Sequence, residues 1–138
     1  MLLTDKSNPV KSIIQLSKKE SVIGIKDAGN KEKMERIKSG IHRDDFYFYA
    51  GGEMKLEEKV SYGYNRLSSI AGNIAPFDIS QWFNKLLTKQ QLNSQENEKI
   101  ELTMEQVYQG NAIANLKKII NQKGVPIGIC RSPIGSRE

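Results

Sequence analysis

Few residues in this chain of 138 can do chemistry beyond carrying surface charge. His42 and Cys130 are its single histidine and single cysteine. An imidazolium beside a thiol lowers the thiol pKa and produces a nucleophilic thiolate, so a Cys130/His42 thiol enzyme is one expectation. The plainer reading makes Cys130, which follows Ile127 and Ile129 at strand period, a small buried hydrophobe and His42 a turn residue. A second catalytic alternative is a metal-independent hydrolase or ribonuclease. There His42 exchanges a proton while Arg43, Arg131 or Lys55 stabilises charge on phosphoryl oxygens.

One histidine and one cysteine cannot make a zinc ligand set. Asp44 and Asp45, with Glu53, could approach magnesium, but adjacent strand residues point to opposite faces. No metal or other cofactor is expected. Gly51-Gly52 could let an anion approach a helix start, yet Glu53 would take those amides and repel a phosphate. No nucleotide-binding glycine motif occurs.

The charge balance gives the binding candidates. There are 21 lysines and arginines against 16 acids, a formal net charge of +5. Lys117, Lys118, Lys123, Arg131 and Arg137 near one end, with basic residues between 11 and 38 near the other, could neutralise phosphates if the ends fold together. Tyr47 and Tyr49 share a strand face and could stack bases, with Phe46 and Phe48 turned to the core. Trp82, Phe83 and Leu86 form an apolar payload suited to a protein interface, unless Trp82 is simply the core tryptophan. The composition favours a small basic non-catalytic accessory or effector domain that binds a protein partner or single-stranded nucleic acid. Its oligomeric state is not indicated.

The elements that must position these residues follow from pattern. A helix is expected from about 9 to 19, with Ser7-Asn8-Pro9 at its start, then a strand over 21–26 closed by Asp27-Ala28-Gly29-Asn30. Residues 31–39 read as a helix ended at Gly40, and Phe46-Tyr47-Phe48-Tyr49-Ala50 as a strand halted by Gly51-Gly52. Leu56, Val60, Tyr64, Leu67 and Ile70 or Ala71 recur at helical spacing, thinned near Gly63. After Gly72–Pro76 a helix should start after Asp78 or Ser80, either of which can cap it. Residues 89–99 read as a mobile loop or inter-lobe linker. Thr103-Met104-Glu105-Gln106 reads as a capping box for a helix running to Lys123-Gly124. Residues 126–130 follow as a strand and 131–138 as an irregular tail.

This order predicts an α+β fold, a small and mostly helical single domain over 1–138 with a few short strands, or alternatively an all-α bundle. No apolar run approaches the roughly 18 to 20 residues that span a bilayer, so no membrane partner is expected. The amino terminus does not read as a signal peptide, and a lone thiol fits a cytoplasmic site.

Overall fold

The computed structural model describes residues 2–4, 10–27 and 30–135. It divides into two compact units, residues 1–68 and 69–138.

The first unit alternates strands and helices. It runs β1 (Leu2–Thr4), α1 (Val10–Ser17), β2 (Gly24–Asp27), α2 (Lys31–Ser39), β3 (Tyr47–Ala50), α3 (Leu56–Ser61) and β4 (Arg66–Leu67). The four strands form one sheet in the order β1-β2-β3-β4. Every neighbouring pair is parallel. Parallel neighbours require a crossover, and here each crossover contains a helix. This is the repeating βα pattern of an α/β sheet, which corrects the α+β expectation and its all-α alternative.

Local chemistry explains the element ends. Asn30 has extended backbone and its side chain accepts from Lys33 N at 3.0 Å, a cap that fixes the start of α2. The helical stripe expected from Leu56 to Ala71 is cut after Ser61. Gly63 sits at φ +98°, a conformation that L side chains rarely adopt, and reverses the chain into β4. Leu56 is buried in α3, while Tyr64, buried to 1% exposure, lies beyond the break. β4 is only two residues long, and Asn65 extends its pairing with β3. The Asn65 N–H donates to Phe48 O, and its side-chain oxygen accepts from Phe48 N, both at 3.0 Å. The strand expected over 21–26 is shifted to Gly24–Asp27. The expected cap at Ser7-Asn8-Pro9 lies outside the described residues.

The core of this unit comprises Ile13 of α1, Met34 and Ile37 of α2, and Ile25, Phe48 and Ala50 of the sheet. Arg43 joins the turn before β3 to the end of α1. It donates to the carbonyls of Ser17, Lys19 and Val22 and pairs with Asp45 at 2.6 Å. Ser17 O belongs to the last residue of α1, where a helix leaves acceptors unpaired, and Lys19 O and Val22 O follow in the turn beyond it.

The second unit opens with a 3₁₀ turn (Ala71–Asn73), followed by α4 (Pro76–Leu87), α5 (Ser94–Tyr108) and α6 (Ala112–Gln122). Pro76 occupies the first turn of α4, where its missing N–H costs nothing, so the helix starts before Asp78 or Ser80. Residues 94–99, expected in a mobile loop, are the first turns of α5. Asn93 accepts from Glu96 N at 2.9 Å and Glu96 accepts from Asn93 N at 2.8 Å, a reciprocal box. Thr103 is therefore inside the helix, its hydroxyl donating to Lys99 O. The single helix expected up to Lys123 is two, separated at Gly110 (φ +77°) and restarted by the Asn111 cap.

Residues 126–130 do not form the expected strand. Asn121 and Lys117 of α6 take up the main-chain groups of Ile127, Gly128 and Ile129 instead. Trp82, Ile79, Ile100 and Val107 form the core of this unit, and the Lys85–Glu96 and Lys99–Asp78 pairs tie α4 to α5. No helix among the described residues is long and apolar enough to cross a membrane.

Candidate functional site

Register places three side chains of the first unit in one row. Lys26 of β2 pairs with Tyr49 of β3, and Tyr49 pairs with Arg66 of β4. Residues paired in this way in a parallel sheet project from the same face. One step earlier along the strands, Gly24 pairs with Tyr47 on that face. The opposite face carries Ile25, Asp27, Phe48 and Ala50, all buried. Lys26, Tyr47 and Tyr49 are half-buried and Arg66 is exposed. The sheet thus has one apolar face for its own core and one built of cations and phenols.

Packing within this polar face is close. The Arg66 guanidinium lies over the Tyr47 ring, 4.3 Å from its centroid. A Cβ added to Gly24 would fall 2.7 Å from Tyr47 O and 3.3 Å from the Tyr49 ring, so glycine is what lets that ring lie against β2. A second polar group sits where β2 and β3 end. Asp27, 2% exposed, accepts from Lys33 Nζ at 3.1 Å and from the Tyr64 hydroxyl at 3.4 Å. Gly51 N donates to Asp27 O, and Lys59 Nζ donates to Gly52 O at 3.1 Å. Burial pushes the Lys59 ammonium down, partly offset by Glu53 and Asp27. Burial first, and then the charge and hydrogen bond of Asp27, push the Tyr64 phenol up. These contacts fix the loops that leave the carboxyl ends of β2 and β3, the end at which parallel α/β sheets hold ligands.

The residues singled out from sequence fall elsewhere for the most part. His42 is exposed in the turn before β3, at the amino end of the strand and so away from that ligand-binding end. Cys130, half-buried, and Arg131, exposed, belong to the second unit. Tyr47 and Tyr49 occupy the polar face described above. Lys117 donates to Ile129 O and Lys123 to Ile74 O, while Lys118 is exposed. Arg137 lies outside the described residues. Trp82 is 9% exposed, with Phe83 and Leu86 half-buried beside it on α4. Among the described residues no three His, Cys, Asp or Glu side chains converge as a metal site. Lys26 and Arg66 were missed. The signal for Lys26 was a lysine directly following the apolar run Ile23-Gly24-Ile25; Arg66 was hidden by reading its strand as helix.

Consecutive parallel βα units with a polar row at the strands define part of a TIM-barrel-like α/β fold. The model of the dihydrodipicolinate synthetase family matches residues 2–138, and the chain belongs to that family. It is 34% identical over 85 residues to 4-hydroxy-tetrahydrodipicolinate synthase of Methanosarcina mazei, covering 61% of this chain and 29% of that protein. With the synthase of the same name from Oceanobacillus iheyensis it shares 24% identity over 127 residues, 91% of this chain and 43% of the relative. The crystal structure of a dihydrodipicolinate synthase from Bacillus anthracis superposes with a TM-score of 0.71 at 20% identity, covering 90% of this chain and 43% of that one. The chain therefore spans less than half the length of these relatives.

Membership of an enzyme family overturns the expectation of a non-catalytic accessory or effector domain. It equally overturns the hydrolase, ribonuclease and Cys130/His42 thiol-enzyme alternatives, and the protein or single-stranded nucleic-acid partner. The physical reasons are visible in the fold. Trp82 fills the core of its own unit, Lys117 and Lys123 engage main-chain carbonyls, and the tyrosines share their face with a strand lysine.

Proposed function

We propose that this chain supplies part of the barrel of a 4-hydroxy-tetrahydrodipicolinate synthase-type enzyme, with Lys26 as the amine that engages a carbonyl substrate. The observation that carries this reading is the place of Lys26 in the sheet. It is a half-buried lysine on an inner strand, on the face that lines a barrel, beside Tyr49 and in the same row as a second cation.

The name of the relatives' product describes a partly reduced pyridine ring bearing two carboxylates. A ring carbon bonded to both nitrogen and a carboxylate is what a 2-oxo acid becomes when it condenses with an amine. In the proposed chemistry Lys26 Nζ adds to the carbonyl carbon, the carbonyl oxygen leaves as water, and a protonated imine remains. Its positive charge acidifies the adjacent C–H, and loss of that proton gives an enamine carbon able to attack a second carbonyl. Tyr49, in register with Lys26, is the phenol on that row able to pass a proton to the departing oxygen. A cytoplasmic location is part of the same proposal and is supported by family membership.

Imine formation makes a testable prediction. Incubated in deuterium oxide, the protein should speed loss of the C3 proton signal of 2-oxobutyrate in proton NMR, and Lys26→Met should reduce that rate to background. Equal exchange with both proteins would contradict the role given to Lys26.

A further inference from the structure

We infer that the Tyr49 ring, seated over Gly24, is the floor of the site beneath Lys26 and limits the length of the 2-oxo acid that the amine can take. The inference deepens the reading of Lys26 and rests on it for the reaction that is measured. Tyr49 pairs with Lys26 across β2 and β3, and Gly24 precedes Lys26 by two residues on the same face. The Tyr49 ring reaches back over Gly24, where an added Cβ would meet its Cε2 at 3.3 Å. The ring thus fills the room that a side chain at position 24 would otherwise take, one inward-facing position before Lys26 along β2.

Neighbouring groups make this floor solid. Tyr47, the register partner of Gly24, occupies the adjoining place, and the Arg66 guanidinium lies 4.3 Å from the centroid of its ring. That guanidinium is therefore turned toward the amino end of β3, away from the end at which parallel α/β sheets hold ligands. It is kept there by donating to Asn65 O at 2.7 Å, and Asn65 is fixed in turn by its two hydrogen bonds to Phe48. Both tyrosines are half-buried.

Barrel interiors are filled by layers of side chains rather than left open. An acid reaching Lys26 from the carboxyl ends of the strands accordingly stops on the Tyr49 ring. Each further methylene in its carbon chain must push against that ring or draw the carbonyl away from the amine. A methylene at a packed wall changes selectivity by about tenfold or more.

The test compares 2-oxobutyrate with 2-oxohexanoate, two methylenes longer, in borohydride trapping on Lys26. Hydride reduces the imine formed by either acid to a secondary amine, and the two adducts differ in mass. In the native chain the shorter acid should label Lys26 at least about tenfold faster. Tyr49→Leu removes the ring and should bring that ratio down about tenfold. Tyr49→Phe keeps the ring and loses only the hydroxyl, so both acids should slow together at the native ratio. That result separates the floor from the proton transfer given to the same residue. A native ratio near one, or the native ratio retained in Tyr49→Leu, would overturn the floor and leave the Lys26 reading standing. Absence of any Lys26 adduct from the native chain would overturn the amine and its floor together.

Discussion

At the scale of single residues, the polar group behind the sheet sets how the first unit answers to pH. Tyr64 is buried and donates to Asp27, and its pKa is raised by that burial and then by the carboxylate. A raised folded pKa means that the unfolded chain ionises first. The contribution is present in full below about pH 10 and is lost as pH climbs past that value. Tyr64→Phe should therefore flatten the alkaline fall in stability and cost about 1 kcal/mol near neutrality, both read from urea midpoints across pH. The carboxyls of Asp45, hydrogen-bonded by Arg43, and Glu96, hydrogen-bonded by Lys85 and the Asn93 amide, are shifted the other way. Their stabilisation is present above about pH 4 and disappears as pH falls below it. Arg43→Ala should lower the urea midpoint at pH 7 and remove part of this acid sensitivity. An unchanged midpoint would show that its three carbonyl contacts contribute nothing. Little of this was legible beforehand, because Asp27 looked like a turn residue and Tyr64 like one rung of a helical stripe.

At the scale of elements, sequence reading succeeded where a cap and a periodic pattern agreed and failed where a short strand was disguised. Lys31–Ser39 was expected and found, with Asn30 before it and Gly40 after it. The strand at Tyr47–Ala50, expected one residue earlier at Phe46, was legible because four consecutive rings fit a pleated strand better than a helix. β4 was not, since two residues carry no period and Leu67 happened to continue the spacing of Leu56, Val60 and Tyr64. The capping box was sought at Thr103 with Gln106, and the structure instead forms one at Asn93 with Glu96. A pair of variants checks that choice. Asn93→Ala should cost about 1 kcal/mol, whereas Thr103→Ala, inside the helix, should stay within about 0.5 kcal/mol. The reverse order in urea unfolding would restore the later start. Gly63→Ala tests the break before β4. The Lys38 ammonium nearest an added Cβ ends a flexible side chain and can move aside, so the variant should be destabilised, as read from its urea midpoint, through the φ of +98° that alanine would have to adopt.

At the scale of the whole chain, the decisive feature is that all four strands are parallel and separated by helices. That was hidden because Leu2–Thr4 is three residues long and β4 is two, so two of the four strands left no readable signal. With those strands restored, the chain changes from a helical domain with isolated strands to successive βα units, and Lys26 becomes a lysine on an inner strand of a barrel-type sheet. The candidate chemistry moves with it, from the chain's only histidine and cysteine to an amine, a phenol and a guanidinium in register. Composition could not show this: lysines are the commonest charged residues here, and it is place in the strand and register that separate Lys26 from the rest.

The most direct test of this account is reductive trapping. The protein is incubated with 2-oxobutyrate and sodium borohydride, digested, and its peptides weighed by mass spectrometry. Hydride delivery to the imine carbon would leave a stable secondary amine. The account predicts one adduct, on Lys26, with loss of tryptic cleavage after that residue and no adduct in Lys26→Met. Labelling spread evenly over surface lysines, or confined to a lysine other than Lys26, would contradict it.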